Sequence, residues 1–112
     1  MKTTRPKLRT RLLMLLLTCS ISSLTFADAI WIDVRSVIEH KVDNIEGDIR
    51  ISHNEVVEKI GALYPDKNLP INLYCRSGGR AGKALSALQA EGYKNVRNVG
   101  SIRNARTERN MQ

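Results

Sequence analysis

Four short runs rich in β-branched residues recur between Ala29 and Val99, and segments of helical or turn character separate them. That alternation restricts the chain to a small α/β architecture built on a mostly parallel sheet. Ala29 to Val34 (AIWIDV) suits a strand buried on both faces, with Asp33 interrupting it near its carboxyl end. Asp48 to Ile51 (DIRI), Ile71 to Tyr74 (INLY) and Asn95 to Val99 supply the other three strands.

The connections are less even. Arg35 to Gly47 reads as a loop with one helical turn in it. Ser52 with Glu55 three residues later has the form of a capping box and predicts a helix ending near Tyr64 and Pro65. Val56, Val57, Ile60 and Leu63 fall on its inward face, while Glu55, Glu58 and Lys59 stay in water. Pro65 to Pro70 is turn chemistry. A second helix carries Ala81, Ala84, Leu85 and Leu88 on one face, and Gly92 closes it. Ser101 to Gln112 is a polar tail, loose or helical, with no evident chemistry.

The first quarter of the chain differs in kind. Five cations (Lys2, Arg5, Lys7, Arg9 and Arg11) precede an apolar stretch from Leu12 to about Leu24, and Thr25 and Ala27 are small enough for a signal peptidase. Residues 1–27 are therefore expected to be a signal peptide cleaved after Ala27, which makes the mature protein periplasmic. Thr18, Ser20, Ser22 and Ser23 break the run, so it falls short of the roughly 20 apolar residues of a bilayer span. An uncleaved anchor or a lipid attached at Cys19 are the competing readings; Thr18 fits a lipobox poorly.

Cleavage would reduce the net charge from +7 to +2, because all the lost charges are positive and 11 Asp and Glu remain. Basicity is thus a targeting device, and no nucleic-acid partner is expected. Processing also removes Cys19 and leaves Cys75 alone, which rules out an intramolecular disulfide. A lone thiol is usually a small buried hydrophobe. Its neighbours argue for chemistry here.

Cys75-Arg76-Ser77-Gly78-Gly79-Arg80 begins where a strand stops and runs into a helix. Backbone N–H groups at such a turn converge on an anion, and the glycines permit the tight reversal. Helix N-termini and nearby cations, here Arg76 and Arg80, favour the reactive thiolate. Ligands of parallel α/β folds also gather at the carboxyl ends of the strands, where Cys75 lies.

This strand-Cys-Arg-Ser-Gly-x-Arg-helix arrangement resembles the active-site loop of rhodanese-like sulfurtransferases. The likeness extends to Trp31-Ile32-Asp33-Val34-Arg35, to Asn44-Ile45-Glu46-Gly47-Asp48-Ile49-Arg50-Ile51, and to Gly92-Tyr93, Asn95-Val96 and Asn98-Val99-Gly100, spanning residues 30 to 100. It implies one rhodanese-like domain over residues 28–100, of the family's short exported type. Departures are Asn44 for His, Asp48 for Ala, Arg50 for Asn, and Ser101 for the second Gly after the last strand. Related phosphatases and arsenate reductases carry Cys-x5-Arg; the Cys-x4-Arg loop here is sized for a single sulfur atom.

The resemblance implies a thiosulfate sulfurtransferase in which Cys75 takes the outer sulfur, sulfite leaves, and cyanide or a thiol removes the sulfur from the persulfide. Arg76, Ser77, Gly78, Gly79 and Arg80 would bind the substrate, Asp33 and Arg35 would support the site, and no cofactor is implied. A persulfide carrier or redox-sensing binding module is the alternative. His40 and His53 lack ligand-like spacing, so no metal is expected. Trp31 and Tyr74 are read as packing residues, and a monomer is favoured.

Overall fold

The computed structural model describes residues 29–111; the expected signal peptide and Cys19 lie outside them. The elements follow in the order β1 (Ile30–Asp33), α1 (Val37–Val42), β2 (Ile49–Arg50), α2 (Val56–Leu63), β3 (Ile71–Cys75), α3 (Gly79–Ala90), β4 (Val96–Ser101) and α4 (Ile102–Glu108). The four strands form one sheet in the order β2-β1-β3-β4, and every pair is parallel. The fold class is therefore the α/β one expected from the alternation.

β3 is central and all five of its residues are buried. Its side chains alternate between the two faces of the sheet, as strand geometry requires. Ile71, Leu73 and Cys75 join Ile32, Val34, Val56, Ile60, Ala81, Ala84 and Leu88 in one core beneath α2 and α3. Tyr74 packs instead with Ile45 and Ala105, flanked by Trp31, Val99 and Ile102. Burial of this kind contributes about 25 cal/mol per Å2 of apolar surface removed from water, so β3 is the strand least able to move. The site is anchored at its end.

Three expectations about local structure change. Arg35 to Gly47 carries a six-residue helix in place of a single turn: Ser36 caps α1 by accepting from the Glu39 N–H at 3.2 Å, and Glu39 accepts from the Ser36 N–H at 3.1 Å. The capping box therefore sits at Ser36 and Glu39, with the same Ser-x-x-Glu spacing as Ser52 and Glu55. At the latter pair the Ser52 hydroxyl donates to Asn54 and the Glu55 N–H bonds the Ser52 carbonyl, which makes a turn. α2 starts only at Val56 with no side-chain cap. Of its expected inward face Val56 and Ile60 are buried, whereas Val57 and Leu63 are exposed because one short surface helix presents a single narrow stripe to the sheet.

The polar tail also acquires structure. β4 runs through to Ser101, whose hydroxyl accepts from the Asn104 N–H and so caps α4. Ala105 is fully buried on the sheet. Arg106 makes a two-point ion pair with Asp43, and Arg109 makes another with Asp48 while lying 4.3 Å above the Trp31 ring. Tyr74 donates its hydroxyl to the same Asp48 at 2.7 Å. The positions that depart from the family pattern thus serve a network of their own. Asp48 receives Tyr74 and Arg109, Arg50 donates to the Arg35 carbonyl, and Asn44 donates to the His40 carbonyl.

Candidate active site

Cys75 ends β3 at 1% exposure, and the chain turns immediately through Arg76, Ser77 and Gly78 into α3. Gly78 has φ +105°, in the left-handed region that side-chain-bearing residues rarely adopt. That conformation turns its N–H onto the sulfur, 2.9 Å from Cys75 Sγ. Burial pushes the Cys75 thiol up, but N–H groups from Ala81, Gly78, Ser77 and Arg80 outweigh it and hold the thiol below its ordinary value. Hydrogen bonds to the charged form favour that form, so the site is built for a thiolate. The residues around the sulfur include Ala81, which lies one position beyond the expected loop.

The two arginines of the loop take different places. Arg80 spans to α1 and donates from Nη1 and Nη2 to the Glu39 carboxylate at 2.7 and 2.9 Å. This bidentate pair, reinforced by the capping-box bonds from Ser36, holds the Glu39 carboxyl far below the usual carboxylate range. Arg76 is exposed and has no ion-pair partner among the described residues. A cleft of about 260 Å3 beside it is lined by Arg35, Ile38, Glu39, Val42, Asp43 and Arg76. The other charged groups there are already paired: Arg35 with Asp33, Glu39 with Arg80, and Asp43 with Arg106.

Asp33 and Arg35 form the support behind the loop. Asp33 is fully buried at the end of β1, opposite Tyr74 in the parallel register. It accepts from Arg35 Nε at 2.9 Å, Arg35 Nη2 at 2.8 Å and the Arg35 N–H at 3.0 Å. His40 Nδ1 lies 2.9 Å from Oδ2, the oxygen that also accepts from Arg35 Nη2. Burial raises the Asp33 carboxyl, but these bonds more than compensate and leave it lowered. Arg35 continues to the Asp43 carbonyl at 2.6 Å, which fixes the far end of α1. Neither residue is bonded to the sulfur.

Besides Ala81, two further contributors lie outside the residues expected from the sequence. Glu39 could have been found, since Ser36-x-x-Glu39 carries the capping-box signal. Asn98, whose side chain bonds the Gly78 carbonyl, carries no local signal. No group of three or more His, Cys, Asp or Glu among the described residues is placed to hold a metal ion, and no described helix is long and apolar enough to cross a membrane.

Comparison with known proteins agrees with this geometry. The rhodanese-like domain model matches residues 22–104. Over 78 residues the chain is 37% identical to the thiosulfate sulfurtransferase PspE of Escherichia coli K12, covering 70% of this chain and 75% of that protein. A solved rhodanese with anions from E. coli superposes with a TM-score of 0.64 at 36% identity, over 68% of this chain and 89% of that one. A human single-domain sulfurtransferase shares the fold at a TM-score of 0.60 and 22% identity, over 88% of this chain and 92% of the other. With the family model spanning most of its length and a relative at this level of identity, the chain belongs to the rhodanese-like domain family.

Proposed function

We propose that this sulfurtransferase moves the outer sulfur of thiosulfate through a persulfide on Cys75. The observation that carries the reading is the thiolate cradle: a buried sulfur at a strand end, lowered in pKa by N–H groups of its own loop. The 37% identical relative is a thiosulfate sulfurtransferase, and the 36% identical rhodanese was solved with anions, both consistent with an anionic donor.

In the first half-reaction the Cys75 thiolate attacks the outer sulfur of thiosulfate; the S–S bond within thiosulfate breaks and its electron pair leaves with sulfite. The persulfide anion then occupies the N–H cradle, whose donors are already oriented and need no reorganisation. In the second half-reaction cyanide or a thiolate attacks the terminal sulfur and the Cys75 thiolate is regenerated. Arg76 draws the dianion toward the loop, while Arg80 fixes the frame through Glu39. Ser77, Gly78 and Gly79 shape the turn, and Asp33 with Arg35 holds the β1 end against it.

Export of the mature domain to the periplasm, action as a monomer and independence from cofactors complete the proposal. Mass spectrometry after incubation with thiosulfate tests it: one added sulfur, about 32 mass units, is expected on Cys75 and none on Cys75→Ser. Steady turnover with thiosulfate and cyanide identifies an enzyme; a carrier would load once and stall. Absence of the adduct in folded protein would overturn the proposal.

A further inference from the structure

The parallel pairing of β3 with β4 contains an irregularity beside the site. Leu73 is opposite Asn98 but Tyr74 is opposite Gly100, so Val99 is an extra residue in β4. This is the two-against-one count of a β-bulge, a device that re-aims side chains next to functional sites. Gly100 takes φ +103° at the bulge. The Asn98 side chain lies across the gap between the bulge and the cysteine loop. Its Oδ1 accepts from the Gly100 N–H at 2.9 Å, and its Nδ2 donates to the Gly78 carbonyl at 3.0 Å. Only this orientation of the amide satisfies both bonds, because a carbonyl needs a donor and an N–H needs an acceptor.

The Gly78 carbonyl also accepts from the Gly82 N–H at 2.9 Å, so two donors fix the peptide plane on one side of Gly78. On the other side, the Gly78 N–H points at Cys75 Sγ. A left-handed glycine is the most pliable residue in such a loop, and something must choose its conformation. A Cβ on Gly78 would meet the Gly100 Cα at 3.4 Å and the Asn98 amide at 3.9 Å, ordinary van der Waals contact, so packing alone does not hold the loop in this conformation. The Asn98 side chain bonds the backbone on either side of the gap and not the sulfur itself.

We propose that Asn98 is a positioning residue for the nucleophile, clamping Gly78 to the β4 bulge so that the Gly78 N–H stays aimed at the Cys75 sulfur. The inference rests on Cys75 being the reacting group. Its test reads the thiol directly and does not require turnover. Iodoacetamide alkylation of Cys75 is followed against pH in the unaltered protein, in Asn98→Ala and in Asn104→Ala. Asn104→Ala is the control, because that side chain bonds the Val99 carbonyl on the same strand but does not reach the loop. The expected result is an upward shift of the alkylation midpoint by about half a pH unit in Asn98→Ala, since a donor to the charged sulfur is no longer held in place. Asn104→Ala should keep the unaltered midpoint.

A merely structural role would lower the melting temperature of Asn98→Ala and leave its midpoint in place, and that outcome overturns the proposal. If Asn98→Ala does not fold, Asn98→Ser is read by the same criterion, because its short hydroxyl cannot bridge to the Gly78 carbonyl. Thiosulfate loading of the unaltered protein is measured alongside. Loading without a midpoint shift sinks the role of Asn98 alone, whereas a midpoint shift without loading sinks the sulfur-transfer reading alone.

Discussion

Arg80 and Glu39 are 41 positions apart in sequence, yet they form a two-point ion pair that fastens the first turn of the helix after Cys75 to the helix after β1. Each belongs to a second structure as well. Arg80 contributes a backbone N–H to the Cys75 sulfur, and Glu39 completes the capping box of α1. The cation that the sequence assigns to the substrate is thereby largely spent on the frame.

Arg80→Ala and Arg76→Ala should therefore differ. Arg80→Ala leaves Glu39 without its partner and should cost about 1 kcal/mol of stability, discounted because both side chains are roughly a third exposed, along with slower sulfur transfer. Arg76→Ala should leave the urea midpoint unchanged and raise KM for thiosulfate several-fold, with a smaller effect on kcat. Urea unfolding together with steady-state kinetics on both variants checks this.

The Asp33 carboxylate should be the most costly single charge to remove from the described residues. It is fully buried and bonded three times by Arg35, which is itself 6% exposed. Asp33→Asn leaves the guanidinium buried without its counter-charge and should cost about 3 kcal/mol, at the level measured for broken buried pairs. Thermal melting of the variant measures the loss.

Acid should destabilise the fold in a definite window. The carboxyls of Asp33, Glu39 and Asp43 all titrate below their ordinary values. Such groups contribute stability that is fully present above the unfolded-state value near pH 4 and is lost as pH falls through the lower folded-state values. The urea midpoint should hold from pH 7 to about pH 5 and then fall toward pH 3. The fall should be smaller in Asp33→Asn, which has one such group fewer.

Truncation after Ser101 should impair folding. It would uncover Tyr74 and Ile45, remove the buried Ala105, and break the Arg106–Asp43 and Arg109–Asp48 pairs. Circular dichroism melts of the shortened chain should show a markedly lower midpoint, and Arg109→Ala a smaller drop in the same direction. An unchanged melt would show that α4 adds nothing to the domain.

Local patterns determined a good deal by themselves. β-branched runs marked the four strands, most plainly β3, whose five residues are all buried, and the thiol at a strand end followed by Gly78 and Gly79 marked the loop because glycines permit so tight a turn. Ala81, Ala84 and Leu88 face the core as their spacing predicts. Spacing could not decide between two equivalent Ser-x-x-Glu signals. Ser36 caps a helix while Ser52 enters a turn, and the Glu39 of the successful box is also held by Arg80. Nor could it show that the polar tail folds back, because the carboxylates that hold Arg106 and Arg109 lie more than 60 residues away. The same holds for Asn98, which reaches Gly78 only because β4 lies beside β3 and bulges at Val99. Short-range chemistry is written in neighbouring residues. Pairings that depend on which strand lies beside which exist only once the sheet has formed.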